Sequence, residues 1–171
     1  MKQGINPQQF RQYVIEPVLV HLAQWEPRIN SEAAIRLLLM TAAHESRMGH
    51  YLHQVKGPAV GIYQMEPATA EDIFAWMTRQ PVVDIAIERR PVSLLYRLQG
   101  IGFTSETAEM AGNLYYATAM ARLHYWRVPE PLPDADDVEG LATYAKRFYN
   151  SMLGKAQVAD YANAARDWQI V

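Results

Sequence analysis

The residues best suited to chemistry in this chain are Glu45 and, a short segment later, Gly61-Ile62-Tyr63-Gln64. Glu45 follows an apolar run, Leu37 to Ala43 with Thr41 inside it, so its carboxyl meets poorly hydrated surroundings. Desolvation disfavours the charged form and raises a carboxyl pKa. A carboxyl that stays protonated near neutral pH can serve as a general acid, for instance at a glycosidic oxygen. The plain alternative is a solvated carboxylate in a last helical turn, which general surface tendencies favour. Against it, an acidic group near a helix C-terminus is opposed by the helix dipole, an odd choice for stability alone. Gly61 permits close backbone approach to a ligand. Gln64 offers a donor and an acceptor, as an amide-bearing sugar needs. Tyr63 can present a flat face to a sugar ring.

These residues need elements to hold them, and the pattern reads as helices broken by Pro- and Gly-marked turns. The first helix begins near Pro7 with Asn6 as its cap, and Phe10, Tyr13, Val14, Val18, Leu22 and Trp25 give it an apolar face. Pro17 lies inside it as a kink or an early end. The second begins near Asn30 or Ser31 and should stop near Gly49. Ile35, Leu38, Leu39, Ala42 and Ala43 form its main face, while Leu37 and Met40 cover a second side. A helix apolar on most sides is central in a core. Residues 50–65 lack helical period and read as a small β-like or irregular insertion. Pro67 starts the next helix, and Pro81 and Pro91 bracket one or two short helices around Val83, Ile87, Leu94 and Leu95. A long helix is expected from Thr104 or Ser105 to Trp126. An extended linker follows over Val128 to Pro133. Asp136 should cap a helix running to about Asn150, and Gly154 should separate it from a last helix ending near Trp168.

The bulk composition sets limits. The 171 residues are enough for one domain with a real core. Apolar residues make up 50% and charged residues 20%, which is globular rather than disordered. Sixteen basic against eighteen acidic residues, with no basic tract, give no argument for nucleic acid as a partner. The absence of cysteine excludes disulfides and thiolate metal sites. No apolar run resembles a signal peptide or a membrane span, so no membrane insertion is expected.

The order Glu45-Ser46, then Gly61-Ile62-Tyr63-Gln64-Met65-Glu66-Pro67-Ala68-Thr69, resembles the soluble lytic transglycosylase and goose-type lysozyme group of the lysozyme superfamily. Asn113-Leu114-Tyr115-Tyr116-Ala117 is similar to that group's third motif. Tyr149-Asn150, followed by Gly154-Lys155, is similar to its fourth, in a variant seen in phage-borne members. Tyr144 is a rival for the fourth motif's tyrosine. Tyr63 stands where the group usually has Met, and Ser151 and Met152 stand where it has a small residue and Gly. The resemblance spans residues 31 to about 156. It implies one mainly α lysozyme-like domain over residues 1–171, of the α+β lysozyme type.

It also implies cleavage of peptidoglycan between N-acetylmuramic acid and N-acetylglucosamine. Glu45 would be the sole catalytic acid and base. Ser46, Gly61, Tyr63, Gln64, Asn113, Tyr149 and Asn150 would bind substrate, with Tyr149 orienting Glu45. Asp72, Glu66 and Glu71 lie nearby, but the group needs no second carboxylate. No metal or cofactor is implied. The expected partners are peptidoglycan glycan strands and, for a phage particle, other virion proteins. The chain would be made in the cytoplasm without a signal peptide and act on the periplasmic or external wall. Two other classes compete. A metal hydrolase would use His44, His50 and His53, but His44-Glu45 lacks a second His four residues after the first. A catalytically silent wall-binding or structural virion protein would keep the fold without turnover.

Overall fold

The computed structural model describes residues 3–80, 83–85, 90–92, 99, 102, 106–150 and 156–170. The protein is mainly helical, as its periodicity predicts.

The chain enters helix at Pro7, where Asn6 Oδ1 accepts from Gln9 N–H at 3.1 Å. Helix α1 (Pro7–Phe10) runs through a π-helical turn (Arg11–Ile15) into α2 (Glu16–Ala23). Pro17 therefore does not end the helix. The turn before it is wound wider, and Glu16 N–H reaches back five residues to Arg11 O. Pro17 has no N–H to offer the Tyr13 carbonyl, its α-helical acceptor. That carbonyl instead accepts the Tyr115 hydroxyl at 2.9 Å. Tyr13, expected on the buried face, is 61% exposed.

Helix α3 (Glu32–Ser46) is the centre of the molecule. Ser31 caps it, its Oγ accepting from Ala34 N–H at 3.2 Å. Ten of its residues are buried, from Ala34 to Ser46. One side, with Ile35, Leu38, Leu39 and Ala42, packs into a cluster that includes Phe10, Leu19, Ile73 and Met120. The second side, Leu37 and Met40, joins Tyr125, Leu141, Tyr144 and Tyr161 in another cluster. Each fully buried side chain of this kind contributes roughly 1.5–3 kcal/mol, so α3 gains from both of its faces. The helix ends three residues before Gly49, because Arg47 and Met48 already turn left-handed (φ +53° and +57°). Met48 N–H closes the end onto Ala42 O at 3.0 Å.

Residues 50–65 are irregular, with two isolated bridges, His53 to Val60 and Val60 to Met65. Helix α4 (Pro67–Met77) buries Ala70, Ile73 and Met77. Where one or two short helices were expected, β1 (Val83–Ile85) pairs antiparallel with β2 (Arg90–Val92), Val83 opposite Val92. Pro91 suits a strand of a two-stranded sheet, where an N–H can be spared. Ile87, Leu94 and Leu95 lie outside the described residues, as do Thr104, Ser105, Ser151 and Gly154.

The long helix expected up to Trp126 is two pieces, a 3-10 segment (Thr107–Ala111) and α5 (Leu114–Trp126). Asn113 divides them by capping α5, its Oδ1 accepting from Tyr116 N–H at 2.9 Å. Helix α6 (Val138–Phe148) is capped by Asp137, not Asp136, through Gly140 N–H at 2.8 Å. Asp136 pairs with Arg36 instead, at 2.7 Å. Helix α7 (Val158–Asp167) begins with a reciprocal Gln157 and Asp160 capping box and packs on both α3 and α6. Among the described residues no helix is long and apolar enough to cross a membrane.

Candidate active site

Glu45 lies in the last turn of α3 and lines a cleft of about 530 Å³. The cleft is closed by the turn before α4 (Gln64, Met65 and Glu66), by His124 on α5, and by Tyr149 and Asn150 after α6. Gln54, Ala59 and Thr69 complete its wall. Four separate elements therefore meet at one carboxyl.

Burial pushes the Glu45 carboxyl up from its ordinary 4.5 to about 7. Three groups oppose that shift and do not overcome it. Tyr161 donates its hydroxyl to Oε1 at 2.5 Å. Asn150 hydrogen-bonds the same carboxyl, and the charge of Lys146 favours ionisation. Lys146 Nζ also donates to Asn150 Oδ1 at 3.3 Å, which turns the Asn150 NH₂ toward the acid. With Oε1 accepting from Tyr161, the proton of the neutral form belongs on the other oxygen.

Gln64 also lines the cleft and has a left-handed backbone, φ +46°. Its Nε2 donates to Gly61 O at 2.8 Å and to Tyr51 O at 3.3 Å. Both partners are carbonyls, which only the NH₂ end can meet, so the amide orientation is fixed. Its donors are spent on the Gly61 and Tyr51 carbonyls, and its oxygen is left to accept.

Tyr149 also reaches the cleft, but it does not orient Glu45. Its hydroxyl donates to Tyr63 O at 2.8 Å, tying the end of α6 to the turn before α4. Its ring stands edge-on to His124 and tilts against Tyr125. His124 is held from two sides. Its Nε2 donates to Phe148 O at 2.7 Å, and Arg127, itself paired with Asp72 at 2.6 Å, approaches Nδ1 at 3.4 Å. Burial pulls the His124 pKa below its ordinary value, favouring the neutral imidazole.

Four residues expected to bind substrate do other work. Ser46 is fully buried, donating to Ile62 O at 2.6 Å and accepting from Gly49 N–H at 2.8 Å. It anchors the Gly61–Gln64 turn to the end of α3 and cannot touch a ligand. Tyr63 is 1% exposed, and its hydroxyl meets Thr118 at 3.3 Å inside the core. Its carbonyl, not its ring, serves the cleft wall. Gly61 (φ +78°) does permit a close approach, but to protein. A Cβ there would lie 2.6 Å from Met110 O. Asn113 caps α5 and donates to Gly102 O at 2.9 Å. Tyr144, the rival tyrosine, donates to Glu130 O at 3.0 Å, away from the acid.

Tyr161 was not foreseen. It sits 116 residues from Glu45 and belongs to no motif. Its one sequence signal is the buried stripe Tyr161, Ala162 and Ala165 on α7. The His44 ring packs on the Tyr161 ring, centroids 3.9 Å apart, and steadies it from behind. Of the nearby carboxylates, Glu66 lines the cleft, Asp72 is committed to Arg127, and Glu71 faces a different, smaller hollow. Among the described residues no three metal-ligating side chains converge.

The chain matches no family model, no curated protein and no solved structure.

Proposed function

We propose that this protein cleaves the β-1,4 bond between N-acetylmuramic acid and N-acetylglucosamine in peptidoglycan, with Glu45 as the single acid and base. The observation that carries this reading is a carboxyl pushed up to about 7 by burial in the wall of an open cleft. A general acid works best with a pKa near the working pH. The sugar class comes from the motif resemblance, and the Gln64 oxygen supports it as an acceptor for an acetamido N–H.

Protonated Glu45 gives its proton to the glycosidic oxygen as the bond to the muramoyl C1 breaks. The carboxylate left behind then takes a proton from an attacking hydroxyl. If that is the muramoyl 6-hydroxyl, the product is a 1,6-anhydro sugar; if it is water, the product is a reducing end. Many glycosidases use a second carboxylate. Among the described residues Glu66 is the other one on the cleft wall, and it is assigned no step.

The deciding test is mass spectrometry of muropeptides released from purified peptidoglycan. The wild type should release them, Glu45→Gln should release at least a hundredfold less, and Glu66→Gln should retain most activity. Anhydro ends would make the protein a lytic transglycosylase, and reducing muramic ends a muramidase. No release by folded wild type would instead favour a wall-binding or structural role. Release that survives Glu45→Gln would remove the assignment of the acid.

A further inference from the structure

Arg122 on α5 is 2% exposed, yet no carboxylate pairs with it among the described residues. The hydrogen bond recorded for its guanidinium is Nε–H to Ile29 O at 2.8 Å. The plane also lies over the Trp126 ring, 5.2 Å from its centroid. Neither contact neutralises the charge. A buried, unpaired guanidinium is costly, and proteins normally pair it or leave it out. Burial pulls the group down only to about 10, so it stays charged at neutral pH.

The same residue lines a cavity of about 410 Å³ between α5, the start of α3 and the Val128–Leu132 segment. Its Nη groups carry no bond among the described residues and are not sealed from solvent. With Arg122 in the cavity wall and its Nε taken by Ile29 O, the Nη end is the part of the guanidinium left to face that cavity. The other walls are aromatic and apolar, with Trp126, Tyr125, Tyr144, Val128 and Leu132. The charged rim is already neutralised, because Arg28 pairs with Glu26 and Glu130 with Arg147. The cavity thus presents one net positive charge, on a planar fork whose Nε is taken and whose Nη end is free. That end matches a carboxylate held by two parallel N–H bonds.

We propose that this cavity is a second binding site, separate from the Glu45 cleft, for a monocarboxylate on a small apolar or aromatic body. The carboxylate would lie on the Arg122 Nη groups and the body against Trp126 and Tyr144. A free small acid and the C-terminus of a peptide share this chemistry, and the probes below separate them.

Titration calorimetry on the full chain would test it, with benzoate, N-acetylalanine and inorganic phosphate as probes. Benzoate should bind at one site with millimolar affinity or better, and phosphate at least tenfold more weakly. N-acetylalanine binding more tightly than benzoate would identify a peptide C-terminus as the source; the reverse would identify a small aromatic acid. Arg122→Met should weaken benzoate at least tenfold, as should Val128→Trp, which fills the cavity and leaves Arg122 in place. If Arg122→Met fails to fold, Val128→Trp decides alone. Three outcomes overturn the site: neither carboxylate binds, phosphate binds as well as benzoate, or binding survives either substitution in a folded variant.

Discussion

At the scale of single residues, the Tyr161 hydroxyl and the Glu45 carboxyl define what the site can do. The bond favours the ionised carboxyl, so removing its donor should raise the pKa further. A hydrogen bond to a charged group contributes about 1.5–3 kcal/mol. Tyr161→Phe should therefore shift the alkaline limb of the pH–rate profile upward by about one unit. It should also cost roughly tenfold in rate by loosening the acid. A packing role alone would lower the rate and leave the limb near 7. Residue types in order pointed to Glu45, Gln64 and Asn150, which the structure brings to one cleft, with Asn150 bonded to the Glu45 carboxyl. They misplaced Ser46 and Tyr63, because a motif does not record direction. Neighbours on a helix point about 100° apart, so with Glu45 toward the cleft, Ser46 faces the core. Tyr63 and Gln64 divide in the same way between core and cleft.

At the scale of elements, the Gly61–Gln64 turn is the piece that cannot change shape. It is fixed by Ser46 below, by Tyr149 from α6, and by the absence of a side chain at Gly61. A methyl group there meets the Met110 carbonyl at 2.6 Å and forces an L-residue to φ +78°. Gly61→Ala should destabilise the protein by about 2 kcal/mol or more, read from urea denaturation midpoints. Local chemistry announces elements well. Asn6, Ser31 and Pro67 each mark a helix start that the structure contains. Non-local events were hidden. The β1–β2 pairing depends on a partner strand, so Pro81 and Pro91 read as helix brackets instead. The apolar period carries through Gly112 and Asn113, which masks the cap that splits the helix there.

At the scale of the whole molecule, the buried titrating groups set the pH range of stability. Glu45 binds its proton more tightly folded than unfolded. Its burial therefore costs nothing below pH 4.5, and stability is lost as pH rises from 4.5 to about 7. His44 and His124 are depressed from 6.5 by burial. Their neutral burial is unopposed above pH 6.5 and costs stability as pH falls below it. Together these groups give a dome with its top in the mildly acidic to neutral range. Glu45→Gln should remove the alkaline slope. Relative to wild type it should gain up to about 3 kcal/mol at pH 8 and almost nothing at pH 4. Thermal unfolding at the two values checks this. Equal shifts at both would mean that the Glu45 carboxyl titrates normally in the fold.

The bond between Tyr161 and Glu45 also has a consequence in time. Its two ends leave the ribosome 116 residues apart. While the chain is being made, Glu45 exists long before α7 can bring Tyr161 to it. Through that interval the carboxyl lacks the hydroxyl that holds its Oε1. The oriented acid is completed by the docking of α7, so the reactive group and the tyrosine that holds it are not born together.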